Sequence, residues 1–164
     1  MVWINWEIFT DKWLMRAERE RRFTDDGDRF ISLWIAFNGW MRGKFGEDMG
    51  DRNQIESVKR MRDFKDIFNQ LKEEDLSFKK RLDKFECLSV VNMQFKNGRE
   101  DIYRYDGSFE SLIEVIYQVR CNLFHGRKNI DEDKKDFELV KLSYRILLPL
   151  FKEYLYRPQR NQIQ

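Results

Sequence analysis

Histidine occurs once, cysteine twice and proline twice in 164 residues. With one histidine, and with Cys87 and Cys121 at no ligand spacing, a Cys/His zinc site is excluded. Neither a metal nor a cofactor is expected. So little proline leaves helices uninterrupted. Pro158 lies beyond the last apolar run, and Pro149 is the one exception inside a helical pattern. No window approaches the roughly 18 uncharged residues of a membrane span. Glu7, Asp11 and Lys12 interrupt the aromatic N-terminal stretch, so no signal-peptide apolar core can be drawn there. The expected compartment is a reducing cytoplasm, with no membrane partner.

An excess of one charge is also missing. Thirty-one basic residues face 29 acidic ones, a formal net charge of +2. A chain of this balance does not coat nucleic acid non-specifically, so any RNA contact must be local. The chain has no Walker-type phosphate loop, no GxGxxG after a strand and no GxSxG elbow. Its acidic residues are scattered as solvated helix faces, and no carboxylate pair stands out.

What is present is aromatic and helical. Fourteen Phe, six Tyr and five Trp supply the core. Trp3, Trp6, Phe9 and Trp13 fall on one face of a first helix. Phe30 to Trp40 is apolar nearly all round, which marks the central helix. The stretch from Gly43 to Gly50 reads as a loop, within a non-helical region near 43–52. A third helix is expected from about Asn53 to Leu71 and a fourth from about Leu76 to Leu88. Residues 89–107 read as a loop with room for a short extended pairing around the Asn97-Gly98 turn signal. Ser108 caps a fifth helix that Gly126 ends. Asp131 and Asp133 start the last one. The expected fold is all-α: an up-and-down bundle of five to six helices in a single domain, 1–156, with a polar tail, 157–164.

The single histidine focuses the chemistry. His125 lies five residues after Arg120. At about 100° per residue, Arg120 shares the inward side of its helix with Ile113 and Ile116. A guanidinium there needs a partner or a cleft. A regular helix would turn His125 about 140° away from Arg120. Ending the helix at Gly126 frees the last turn to bring the imidazole back, and the helix dipole there favours its protonated form. Such a pair suits metal-free RNA cleavage. The 2′-OH is the nucleophile, histidine moves protons and arginine stabilises charge on the phosphate. The plainer alternative pairs Arg120 with a buried acid and uses His125 as a helix cap. Asn38, polar inside an apolar helix, requires a partner. That partner is a neighbouring helix or the Arg120 region. Arg127 and Lys128 are either RNA-phosphate contacts or plain surface cations.

The segment Tyr117-Gln118-Val119-Arg120-Cys121-Asn122-Leu123-Phe124-His125-Gly126-Arg127-Lys128 resembles the Arg-x(4–6)-His signature of HEPN domains. Leu33-Trp34-Ile35-Ala36-Phe37-Asn38 is similar to that family's buried second helix. A long amphipathic helix after the motif extends the likeness over roughly residues 25–155. The resemblance implies a helical bundle that acts as a metal-independent endoribonuclease in toxin–antitoxin or defence systems. It implies Arg120 and His125 as the catalytic pair and a homodimer that brings two motifs together. An antitoxin or nucleotidyltransferase is an implied partner. The family often places Asn directly after the arginine; here Cys121 stands there, with Asn122 one step later in a supporting role. The alternative is a non-catalytic HEPN-like module for nucleotide or RNA binding or for dimerisation.

Overall fold

In a computed structural model the described residues are 4–19, 26–91, 101–124 and 134–157. They form α1 (Trp6–Glu18), α2 (Asp26–Phe45), α3 (Asp51–Lys59), α4 (Arg62–Glu74), α5 (Leu76–Glu86), β1 (Ser89–Val91), β2 (Ile102–Arg104), α6 (Phe109–Phe124) and α7 (Lys134–Tyr156). The chain is an all-α bundle; the described residues hold seven helices and one minimal antiparallel pair, in which Val90 faces Tyr103. No helix among the described residues is long and apolar enough to cross a membrane.

Local signals account for three of the helix starts. The Asn5 carboxamide accepts from the backbone N–H groups of Glu7 and Ile8 at 3.1 and 3.2 Å. Asp75 ends α4 and caps α5 through the Phe78 N–H at 3.0 Å. Ser108 caps α6 through the Ser111 N–H at 3.1 Å, and the Asp106 carboxylate accepts from both serine hydroxyls. Those bonds hold Asp106 down at about 2. The Asn97-Gly98 signal and the caps Asp131 and Asp133 lie outside the described residues.

Two expectations are corrected. The apolar stripe from Ile55 to Leu71 is not one helix. It breaks at Arg60 and Met61, so that α3 packs against α6 while α4 packs against α7. Helix α2 runs through Gly43 to Phe45, and the turn falls at Gly46, whose φ of +104° suits glycine. Arg157, the first residue of the expected polar tail, is hydrogen-bonded to Gln70, and residues 158–164 lie outside the described residues.

Gly39 and Gly43 are four apart on one face of α2 and let α1 lie close. A Cβ on Gly39 would stand 2.4 Å from Phe9 Cδ1, and one on Gly43 would stand 2.7 Å from Trp6 Cβ. The double variant Gly39→Ala/Gly43→Ala is therefore expected to lose about 1–3 kcal/mol. This is despite an intrinsic helix gain of about 1 kcal/mol per site. Urea titration checks it; a stabilised protein would refute the close approach.

Helix α2 is the centre of the bundle, packing on α1, α3 and α7. Phe37 on α2 is fully buried among Trp34, Trp40, Phe64 and Phe151. Pro149 does not break α7. Its ring removes the N–H that Arg145 O would accept. Arg81 Nη1 of α5 supplies that donor instead, at 3.0 Å.

Candidate functional site

One half-buried face of α6 carries Glu114, Tyr117, Arg120 and Phe124 at helical spacing. Helix α3 lies across the first two. Arg52 Nη1 meets Glu114 Oε1 at 2.6 Å, and Lys59 Nζ bonds the other oxygen. Burial pushes the Glu114 carboxyl upward, but those two cations outweigh it and the net shift is downward. Arg52 also lies 5.7 Å over the Tyr117 ring. Burial, then the neighbouring Cys121, push the Tyr117 phenol up to about 12.

This latch brings the first residue of α3 to Arg120. Asp51 Oδ2 accepts from Arg120 Nη2 at 3.1 Å. Its other oxygen accepts from Asn38 Nδ2 at 3.4 Å. Asn38 therefore reaches the Arg120 region through a shared carboxylate. The guanidinium is flanked by two rings, with its carbon 5.7 Å from the Trp34 centroid and 5.0 Å from that of Phe124. Among the described residues its Nε is buried without an acceptor, and Nη1 has a 3.9 Å contact with Cys121 Sγ. Arg120 keeps donor capacity that Asp51 does not use.

Arg120 also lines a groove of about 370 Å³. Asn38, Gly39 and Arg42 of α2 form its floor, Trp6 and Phe9 of α1 one wall, and Trp34, Arg120 and Phe124 the other. Arg120 is therefore both ion-paired and open to a cleft, with 21% of its side chain exposed.

Asn122 takes a different place. It is buried, donates to Val91 O at 2.8 Å and accepts from Gln118 Nε2 at 3.1 Å. These bonds tie α6 to β1 rather than to the Asp51 carboxylate. Helix α6 is regular through Phe124; His125, Arg127 and Lys128 lie outside the described residues. Among the described residues no three His, Cys, Asp or Glu side chains converge as a metal site.

Asp51 and Arg42 were not singled out by sequence reasoning. Asp51 fell in the stretch read as loop, and its role depends on where α3 lands. The usable signal was the spacing of Glu114, Tyr117, Arg120 and Phe124 along one helix. Because the Arg120–Asp51 pair is only part-buried, its coupling is expected at about 1 kcal/mol or slightly less. A double-mutant cycle with Asp51→Ala and Arg120→Ala measures it. Asn38→Ala should weaken it, and a coupling of zero would remove Asp51 as an anchor.

Compared with known proteins, the chain matches no family model, no curated protein and no solved structure.

Proposed function

We propose that the chain is a metal-independent endoribonuclease of the HEPN type, with Arg120 and His125 as its catalytic pair. The observation that carries the reading is the state of Arg120. It lines an open groove, its side chain is 21% exposed, and its guanidinium is steadied by Asp51 and two rings. An arginine so held is preorganised to receive charge that grows on a phosphate. In the reaction the 2′-oxygen attacks the adjacent phosphorus and gives its proton to the His125 imidazole. The P–O5′ bond breaks, and the imidazolium returns the proton to the departing 5′-oxygen. The products are a 2′,3′-cyclic phosphate and a 5′-hydroxyl. In the same reading two copies pair so that their motifs share one cleft, and an antitoxin or nucleotidyltransferase partner restrains them.

The test is labelled single-stranded RNA incubated with the protein in EDTA. Cleavage to cyclic-phosphate ends is expected, with DNA and RNA carrying a 2′-O-methyl at the cut site left intact. Activity that disappears in EDTA would overturn the mechanism.

One observation favours a second reading, a non-catalytic nucleotide- or RNA-binding module. The Asp51 carboxylate already offsets much of the Arg120 charge. Under that reading RNA binds, but no product appears in EDTA or with added divalent metal.

A further inference from the structure

We propose that the groove beside Arg120 seats one unpaired nucleotide of an RNA strand, with its base on the outer face of Phe124 and its phosphate on Arg42. The inference rests on the reading of the chain as an RNA-acting protein and adds a binding subsite to it.

Charge is the first argument. Among the described residues no carboxylate lines this groove, whereas Arg42 and Arg120 both do. The larger groove beside α7 mixes Glu18, Asp26 and Glu153 with its cations and so has no such preference. Arg42 is exposed and makes no ion pair among the described residues. It is the cation best able to take a phosphate, since Arg120 is already shared with Asp51.

Aromatic surface is the second. Phe124 ends α6 and is 46% exposed. Arg120 stacks on one face of its ring, and no second cation or ring of the described residues stacks on it, so the base is placed on the opposite face. A guanidinium behind the ring makes a base–Phe–Arg stack, the arrangement that single-strand readers use without sequence preference.

Size is the third. A groove of about 370 Å³ lies at the low end for small-ligand sites. Along α2 its floor spans Ile35 to Arg42, about 10 Å of helix. That is room for one nucleotide, not for a duplex.

The experiment uses the whole chain and a short, fully 2′-O-methylated oligouridine, which cannot be cut. A matched oligonucleotide with abasic sites keeps the phosphates and removes the bases. Binding is read by fluorescence anisotropy at low salt and by quenching of tryptophan emission. Phe124→Ala is expected to weaken binding of the oligouridine about tenfold and to leave the abasic strand unchanged. Arg42→Gln is expected to weaken both about tenfold and to flatten the salt dependence. Both residues are exposed, so both variants should keep the wild-type melting temperature. Equal wild-type binding of the two strands, or variants within about twofold of wild type, would overturn the subsite. So would the absence of any binding up to about 100 µM protein. If the oligouridine binds as expected but no RNA is ever cut, the subsite stands and the nuclease reading falls. If RNA is cut with unchanged KM in both variants, the nuclease reading stands and the subsite falls.

Discussion

His125→Ala and Arg120→Ala are each expected to slow RNA cleavage by about 10²-fold or more while leaving a folded, helical protein. Loss of the imidazole removes the only side chain of the sequence whose ordinary pKa lies near neutrality. Loss of the guanidinium removes the fork that receives phosphate charge. The double variant should be little worse than either single one, because the two groups serve one transition state. Arg120→Lys separates charge from geometry. A lysine keeps the cation but not the planar fork, so partial activity is expected. The fold should tolerate these changes, since Asp51 is about one-third exposed (32%) and water can replace its lost partner. Single-turnover rates in EDTA, with circular dichroism on each variant, make the comparison. Undiminished cleavage in both alanine variants would sink the assignment.

Phe37→Ala is expected to cost about 3–5 kcal/mol of stability, the range for emptying a fully buried aromatic site. The ring is 1% exposed and sits 5.1 to 5.5 Å from the rings of Phe151, Trp34 and Trp40. Phe64 closes the other side at 6.3 Å. Its neighbours belong to α2, α4 and α7, which no single side-chain movement can bring together, so the cavity stays largely unfilled. Phe124→Ala is the contrast, an exposed ring whose removal should cost well under about 1 kcal/mol. Urea unfolding of the two variants checks the difference. A small loss for Phe37→Ala, at unchanged slope, would mean that α2 is not the centre of the core.

Much of the helical architecture was legible because its causes are local. Low proline content, apolar residues at intervals of three and four, and the cap at Ser108 act within a few residues of themselves. The short strand pair was foreseen only as a loop with room for extended pairing, since three residues a side carry little pattern. Gly43 misled for a physical reason. A glycine that breaks a helix and a glycine that admits a neighbouring helix look alike until the neighbour is placed. Here Trp6 occupies the space its side chain would fill. The break at Met61 had no glycine or proline to announce it, because two different packing partners, α6 and α7, impose it.

The candidate site divides along the same line. Arg120 and His125 stand out in the sequence alone, through the scarcity of histidine and the spacing of five between them. Asn38 stood out as a polar residue in an apolar helix. The sequence by itself determined a helical chain with one arginine–histidine motif. The tertiary structure alone decided that Asp51 and Asn38 hold the arginine, that Asn122 turns to β1, and that Arg42 and Phe124 share its groove. Helix periodicity ranks the residues on one helix by face. The contacts between Arg120 and Asp51, 69 positions apart, depend on how the helices pack, which short-range spacing does not encode.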